Sequence, residues 1–164
     1  MFKCILLSMK IGEHEAVYFD VCALGRPYDD QGFPRIEAET AAMAMVIVLI
    51  KARKYVLYYS IVHEKELSCN NNDTERTEIL KLLFDYGKST TPLLRKIYST
   101  IEGRALKFEK QGMGIADAMH VAHSEAVGAA FITCDDNLLK KCHRCDVNIW
   151  YGTPVDFCKK EGLL

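Results

Sequence analysis

The chain has 164 residues, of which 49% are hydrophobic and 26% charged, as expected for one soluble globular domain. This composition excludes intrinsically disordered and collagen-like classes. The 21 basic and 22 acidic residues give a formal net charge of -1, which excludes a histone-like polycation. Any contact with nucleic acid would therefore depend on a local basic surface or on a metal ion.

The cysteines and the apolar runs indicate the compartment. The seven cysteines are an odd number spread from Cys4 to Cys158, and no stretch has the pattern of a signal peptide, so we expect a cytoplasmic protein with reduced thiols. Cys142 and Cys145 have the spacing of a metal or redox pair, but the absence of a second pair favours structural cysteines. The longest apolar run, 41–50, is too short to cross a membrane and fits a buried core element.

The N-terminal half is predicted to begin with an arm. Residues 1–15 show no clear period, so we expect an N-terminal arm or a start-site extension, with Met1 and Met9 as alternative starts, ahead of a single domain over 16–164. The aromatic and β-branched stretch 16–21 predicts a buried strand. The elements predicted after it are, in order, a Gly- and Pro-rich loop (22–35), a long buried helix (36–53), a second strand (54–60) and a short helix (61–68).

The C-terminal half alternates helices with strands. The elements predicted there are helices over 74–87, 92–112 and 115–128, a strand over 129–134, a short helix over 135–144, a strand over 147–151 and a closing helix over 153–162. No strand is expected between the first three of these helices. Strands separated by helices indicate an α/β domain, with a short, mostly parallel sheet of about four or five strands and helices on both faces.

Acidic residues follow three of the predicted strands and one helix start. They are Asp20 after the first strand, Glu66 after the second, Asp135 and Asp136 after the third, and Asp117 in the first turn of a helix. Ligands of open α/β sheets bind at the carboxyl ends of the strands, so these carboxylates are expected at one sheet edge. Gathered carboxylates repel one another, and Mg²⁺ or Mn²⁺ prefers such oxygen ligands. The sequence therefore predicts a site for one divalent ion, or for two that share a carboxylate.

Each of these acids also has a structural interpretation. Asp20 is compatible with a turn residue, Asp117 with a partner of the helix dipole, and the pair Asp135 and Asp136 with a helix N-cap. Their joint placement at one edge favours the metal site. An unneeded carboxylate after the apolar first strand would also be costly.

The same residues carry a resemblance to the PIN-domain family of metal-dependent ribonucleases, which includes the VapC-like toxins of toxin–antitoxin pairs. The matching segments, spanning about 17–151, are VYFDVCALGRPYDDQ with Asp20, SIVHEKEL with Glu66, GIADAMHVAHSEAVGA with Asp117 and FITCDDNLL with Asp135. The last two are the most specific. They join a helix with an early Asp, a Gly-Ala turn, an apolar strand and Thr-x-Asp in one unbroken stretch.

The resemblance implies a three-layer PIN-like fold and a hydrolase that acts on RNA phosphodiesters. In the implied enzyme, an endonuclease, Asp20, Glu66, Asp117 and Asp135 hold Mg²⁺ or Mn²⁺ and carry the catalysis, with a metal-activated water as nucleophile. The implied partners are an RNA substrate and, if the toxin analogy holds, a small antitoxin protein. The resemblance is also compatible with a homodimer.

Two points of the match stay open. Glu64 and Glu66 are both available as the second acid, and Glu66 is preferred because Leu67 follows it. Val21 and Cys22 stand where the family often has Thr-Asn or Thr-Ser, so a hydroxyl or amide that could hold a metal-bound water is missing.

Further side chains are candidates for supporting the ion or binding the phosphate. They are Thr133, Arg26, Asp136 and His120. Thr133 lies near Asp135 and is a potential hydrogen-bond donor behind the ligands. Arg26 is weighed equally as a phosphate ligand and as a salt-bridge partner of Asp29 or Asp30. For His120 the alternative is a packed or hydrogen-bonded core histidine.

The helix before Asp117 carries a cluster of basic residues. Arg104, Lys107 and, less closely, Lys110 share one side of it and form the best candidate for an RNA-tracking surface. The alternative is an ordinary solvated helix face.

The sequence is also compatible with two functions other than a nuclease. One is a catalytically silent RNA- or protein-binding module on the same fold, which would not need the acids. The other is a Mg²⁺-dependent phosphatase with an Asp nucleophile. Such enzymes commonly carry a second Asp two residues after the first, where this chain has Cys22.

Overall fold

The structure, a computed structural model, describes residues 15–93 and 95–164, without the side chains of 92, 93 and 95. The N-terminal arm predicted for 1–15, with its alternative starts Met1 and Met9, lies outside the described residues except for Glu15. The strands form one sheet. They are β1 (Ala16–Phe19), β2 (Val56–Tyr59), β3 (Gly87–Ser89), β4 (Ala130–Ile132) and β5 (Tyr151–Gly152).

All neighbouring strands are parallel, and their order across the sheet is β3-β2-β1-β4-β5. β1 is therefore central, with β4 on one side and β2 on the other. In the β1–β4 register Val17 lies opposite Ala130, and Phe19 lies opposite Ile132. Because β1 and β4 are parallel neighbours, their carboxyl ends lie next to each other.

The helices connect these strands. They are α1 (Val21–Gly25), α2 (Pro34–Lys51), α3 (Ile61–Ser68), α4 (Asp73–Tyr86), α5 (Thr90–Leu93), α6 (Tyr98–Lys110), α7 (Ile115–Val127), α8 (Asp136–Arg144) and α9 (Pro154–Lys160). Short 3-10 turns cover Arg26–Tyr28 and Arg95–Ile97. No helix among the described residues is long and apolar enough to cross a membrane.

Alternation along the central strands divides the core between two faces of the sheet. Val17, Phe19 and Ile132 belong to one hydrophobic cluster, whereas Tyr18 and Phe131 belong to the other. The first cluster includes side chains from α1, α2, α4 and α9, and the second includes side chains from α6, α7 and α8. The sheet is thus enclosed by helices on both sides, which confirms the predicted three-layer α/β fold.

Cys142 and Cys145 lie in the second cluster. Both thiols are free and only 1% exposed, and burial raises the pKa of Cys142 to about 12. They pack as core residues, in agreement with the structural interpretation of the Cys-x-x-Cys pair.

The prediction that no strand interrupts the central helices is wrong. β3 pairs with β2 through Leu57 opposite Gly87 and Tyr59 opposite Ser89. A Cβ on Gly87 would lie 2.5 Å from the carbonyl oxygen of Leu83 and 2.9 Å from Cδ1 of Tyr59, so the close approach of the backbone requires glycine. The sequence Gly-Lys-Ser has no hydrophobic pattern, which is why this edge strand is not visible in the sequence.

Three other elements differ from their predictions. The strand expected over 147–151 lies instead at Tyr151–Gly152. The helix expected over 92–112 is divided into α5, a 3-10 turn and α6. The loop expected over 22–35 contains α1, because the carboxylate of Asp20 accepts a hydrogen bond from the backbone N–H of Ala23 and caps that helix.

Candidate metal centre

Asp20 lies where β1 ends and α1 begins. Its backbone N–H donates to the carbonyl of Ile132 on β4 (3.1 Å), and its Oδ1 accepts the N–H of Ala23 (2.9 Å). The hydroxyl of Thr133, the first residue after β4, donates to Oδ2 at 2.5 Å. Burial raises the pKa of the Asp20 carboxyl well above its usual value, and the hydrogen bond from Thr133 opposes that rise.

Cys22 interacts with the same carboxylate. Its Sγ donates to Asp20 at 3.0 Å to Oδ1 and 3.2 Å to Oδ2, and it accepts the backbone N–H of Cys134 at 3.3 Å. Contact with the Cys134 side chain and burial raise the pKa of the Cys22 thiol, so it remains protonated. The departure from the family pattern at this position therefore replaces a hydroxyl or amide with a thiol donor.

Asp135 and Asp117 occupy two neighbouring helix starts. Asp135 is the N-cap of α8, and its Oδ1 accepts the N–H groups of Asn137 (2.7 Å) and Leu138 (3.1 Å). Its own N–H donates to the hydroxyl of Thr133 at 3.0 Å, so one threonine links Asp135 to Asp20. The capping interpretation of Asp135 is correct, and it coexists with a position beside Asp20.

Asp117 is half-buried in the first turn of α7. Burial raises the pKa of its carboxyl, and the negative charges of Asp135 and Glu66 raise it further, whereas His120 and Lys141 oppose the rise. The helix N-cap is Gly114, where an added Cβ would lie 3.1 Å from Oδ2 of Asp117. The glycine thus leaves room for the carboxylate above the start of the helix.

Glu66 reaches the same region from α3. Its Oε2 lies 2.7 Å from Nε2 of His120 on α7, and about a third of its side chain is exposed. Glu64 lies instead beside Tyr59, whose pKa is raised by burial and then by that carboxylate. Of the two alternatives for the second acid, Glu66 is therefore the one in contact with α7.

A buried chain of hydrogen bonds lies behind Glu66. The other ring nitrogen of His120, Nδ1, is 2.8 Å from the hydroxyl of Tyr18, which is 2.7 Å from Oγ of Ser60. Tyr18, His120 and Ser60 are at most 1% exposed. This chain joins β1, α7 and the N-cap of α3, so it fixes the position of Glu66 relative to the strand that ends in Asp20.

His63 completes this buried group. Its Nδ1 accepts the backbone N–H of Ser60 at 3.0 Å, so the proton lies on Nε2, which donates to the carbonyl of Phe19 at 2.7 Å. Burial, and then the neighbouring His120, lower the pKa of His63, which is neutral. Sequence reasoning missed Tyr18 and Ser60. The available signal is a tyrosine inside an apolar strand, because a buried hydroxyl requires a partner.

The side chains of Arg26 and Asp136 form ion pairs beside the candidate site. Arg26 pairs with Asp29 (2.8 Å) and with Glu39 (2.6 Å), a carboxylate only 2% exposed. Arg35 pairs with Glu39 at 2.8 Å and holds both oxygens of Asp136 at 2.7 Å, which lowers the pKa of Asp136. The salt-bridge alternative for Arg26 is thus observed with Asp29, and buried Glu39 accounts for the further pairing because it requires positive partners. A phosphate role of Arg26 and a supporting role of Asp136 stay predictions. The sequence did not indicate Glu39.

Arg104 is also paired. Its Nε and Nη2 donate to the two carboxylate oxygens of Glu125 at 2.7 and 2.9 Å, and Nη2 also donates to the carbonyl of Asp146. The RNA-tracking surface expected from Arg104, Lys107 and Lys110 therefore loses its first member.

The four predicted acids surround one edge of the sheet but do not form a ready-made set of ligands. No group of three or more His, Cys, Asp or Glu side chains within 15–93 and 95–164 is arranged to hold a metal ion. The oxygens of Asp20, Asp135 and Glu66 instead accept hydrogen bonds from the protein. The donor set nevertheless fits a hard divalent cation by its chemistry. All four groups are carboxylates, and a cation would relieve the cost of ionising buried Asp20 and half-buried Asp117.

Comparisons with known proteins support the fold. No family model matches the chain, and no match was found among curated proteins. Among solved structures, the chain is similar to the crystal structure of FitAcB from Neisseria gonorrhoeae, with a TM-score of 0.50 and 15% identity. The similarity covers 84% of this chain and 97% of that one. The two share a fold. At this identity the likeness concerns the fold alone, and it agrees with the PIN-like arrangement of sheet and helices.

Proposed function

We propose that this protein is a ribonuclease that depends on Mg²⁺ or Mn²⁺ and cleaves within RNA chains. The observation that carries the proposal is the hydroxyl of Thr133, which donates to Asp20 and accepts from the backbone of Asp135. It links the acids that end two adjacent parallel strands. Asp117 joins this acidic edge electrostatically, since the charges of Asp135 and Glu66 raise its pKa after burial. Accumulated negative charge at such an edge favours a divalent cation.

Each residue has a defined part in the proposed reaction. Asp20, Glu66, Asp117 and Asp135 would hold the ion, which when bound supplies a water of lowered pKa and stabilises charge on the phosphate. Thr133 keeps Oδ2 of Asp20 in a fixed orientation. His120 does the same for Oε2 of Glu66.

The test uses purified protein with a labelled RNA pool in Mg²⁺, Mn²⁺ or EDTA. We expect cleavage with either ion, none in EDTA, and none with Asp20→Asn. The control Asp85→Asn makes the same chemical change at an exposed position on α4 and should cleave like the wild type. Cleavage that survives EDTA or Asp20→Asn would overturn the metal-dependent mechanism.

A catalytically silent binding module is the second candidate. It is favoured by the lack of a preassembled group of three metal-binding side chains within the described ranges 15–93 and 95–164. A silent module would bind RNA or a protein equally well with Asp20→Asn, and it would show no cleavage in any metal. The same experiment therefore separates the two functions.

We extend the proposal to the role of a cytoplasmic toxin with a small antitoxin protein as partner. A partner that inserts a basic side chain among the acids would neutralise the edge that Asp20, Glu66 and Asp117 create. Co-expression with the product of a small neighbouring reading frame should give a stable complex with suppressed cleavage. Size-exclusion chromatography of the same sample would also report whether the chain forms a homodimer.

A further inference from the structure

The helix that starts at the acidic edge carries positive charge along its length. Asp135 is the N-cap of α8, and Lys140, Lys141 and Arg144 follow it within the helix. Because residues three and four apart share a helix face, these three cations form one continuous stripe, which we call the α8 basic face. With a rise of about 1.5 Å per residue, the stripe ends about 13 Å from the N-cap. It therefore leads directly away from the acids.

The cations of this face form no salt bridges among the described residues, although Lys141 acts electrostatically on Asp117 and Lys140 on Asp136. Lys140 and Arg144 are exposed and Lys141 is half-buried, and none of the three makes an ion pair with the residues in 15–93 and 95–164. By contrast, Arg26, Arg35 and Arg104 are held by carboxylates. Arg26, Arg35 and Arg104 therefore serve the fold. Lys140 and Arg144 on α8, like Lys107 and Lys110 on α6, form no salt bridge within the described ranges.

The surface beside this face is open and shallow. Leu139, Lys140, His143 and Arg144, all on α8, border it. The acid nearest to it on the same helix, Asp136, is already neutralised by Arg35. This surface consequently places an apolar side chain, Leu139, beside the exposed cations Lys140 and Arg144, which suits a sugar–phosphate backbone.

We propose that the α8 basic face binds the phosphates of the RNA strand next to the scissile bond and guides the strand to the acidic edge. This inference rests on the proposed function and names the surface that holds its substrate. RNA is favoured over an acidic protein because Lys140 and Lys141 lie only about 8–9 Å along α8 from its N-cap Asp135, so a strand bound to them is within reach of the acidic edge. Positive charge at a helix end also interacts favourably with the helix dipole, but that role predicts an effect on stability alone.

The test compares two matched double variants. Lys140→Gln with Arg144→Gln removes two exposed cations from α8, and Lys107→Gln with Lys110→Gln removes two exposed cations from α6. Fluorescence anisotropy with a labelled single-stranded RNA in EDTA measures binding without cleavage. We expect the α8 variant to bind about tenfold or more weakly. The slope of log K against log salt should fall by about 1.4, or about 0.7 for each lost phosphate contact. The α6 variant should bind like the wild type.

The outcomes separate this inference from the proposed function. Equal RNA binding by the wild type and the α8 variant, or equal losses in both variants, would overturn the α8 basic face. If the α8 variant loses binding to poly-glutamate but not to RNA, the α8 basic face binds an acidic protein. That result would also overturn its proposed role in RNA binding. If the wild type cleaves RNA in Mg²⁺ but the α8 variant has an unchanged KM, the surface fails while the nuclease stands. If the wild type does not cleave in Mg²⁺ or Mn²⁺, the nuclease fails.

Discussion

Nε2 of His120 lies 2.7 Å from Oε2 of Glu66, while Nδ1 of the same ring lies 2.8 Å from the hydroxyl of Tyr18. One buried imidazole thus connects an acid of the candidate site to the central strand β1. Because Nε2 donates to the carboxylate, a neutral ring accepts the Tyr18 proton at Nδ1. The ring therefore fixes Glu66 through both of its nitrogens.

Replacing His120 should weaken metal binding by more than the accompanying loss of stability can account for. In His120→Ala, Glu66 loses its donor, and we expect Mn²⁺ affinity to fall about 10- to 100-fold. Buried Tyr18 also loses a partner, which should cost about 1–3 kcal/mol of stability. Mn²⁺ titration followed by electron paramagnetic resonance measures the first effect, and urea unfolding measures the second. The control is Tyr18→Phe, which removes a partner of the ring but keeps the donor to Glu66. Mn²⁺ affinity equal to that of the wild type in His120→Ala would contradict this role.

The buried carboxyl of Asp20 should make stability depend on pH. Its pKa is raised in the folded protein by burial, so the folded state retains a proton that the unfolded state loses above the ordinary value of 3.8. In EDTA, the contribution of this carboxyl to stability should therefore be greatest in acid and fall as the pH rises from that value to the folded pKa, with no further loss above it. Asp20→Asn should reduce this decline, as measured by thermal unfolding across pH. An equally steep decline in the variant would show that Asp20 does not cause it.

Added metal should offset the cost of ionising the buried Asp20 carboxyl. Since a ligand that binds only the folded state stabilises it, Mg²⁺ or Mn²⁺ should raise the Tm of the wild type. Asp117→Asn should show a smaller rise in Tm. Asp85→Asn, near the C-terminal end of α4, should show the same rise as the wild type. Equal rises in all three proteins would place the bound ion elsewhere.

The edge strand β3 depends on the absence of a side chain at Gly87. Gly87→Ala brings a Cβ to 2.5 Å from the carbonyl oxygen of Leu83, and the backbone must shift. We expect a loss of about 1–3 kcal/mol. Gly103→Ala is the matched control, because it lies inside α6 with nothing within 4 Å of the new Cβ and should stabilise by about 0.5–1 kcal/mol. Urea unfolding measures both, and a neutral Gly87→Ala would contradict the close packing of β3.

The ion pair between Arg26 and Glu39 should support the fold and not substrate binding. Arg26→Gln leaves a carboxylate that is 2% exposed with Arg35 as its remaining charged partner, so we expect about 1–3 kcal/mol of destabilisation. The KM for RNA should stay close to that of the wild type. Exposed Arg53→Gln serves as the control in unfolding experiments. A large rise in KM without a loss of stability would instead make Arg26 a phosphate ligand.

The positions of the acids were predictable because they depend on strong local patterns. The stretch 16–21 carries Asp20 next to its end, and Asp135 directly follows the stretch 129–134. Parallel strands bring such ends to one edge of the sheet. The relation of Tyr18 to His120 joins positions 102 residues apart, and no local pattern encodes it. β3 was not predicted because its sequence, Gly-Lys-Ser, has no hydrophobic pattern, and only its backbone pairs with β2.

For the charged residues, too, the sequence indicates which residues are local neighbours but not which distant residues are in contact. A sequence indicates that Arg104 and Lys107 share a helix face, but it does not reveal that Glu125 on another helix neutralises only Arg104. The sequence does not single out Glu39, and only the tertiary structure brings Arg26 and Arg35 to its two oxygens.

The most direct test of the central claim is the rate of RNA cleavage in Mg²⁺ by the wild type and by Asp20→Asn, with Asp85→Asn measured alongside. A metal-dependent nuclease with Asp20 at its centre predicts cleavage by the wild type and by Asp85→Asn, and a fall of at least about 100-fold for Asp20→Asn. Equal rates for the wild type and Asp20→Asn, or no cleavage by the wild type, would contradict it.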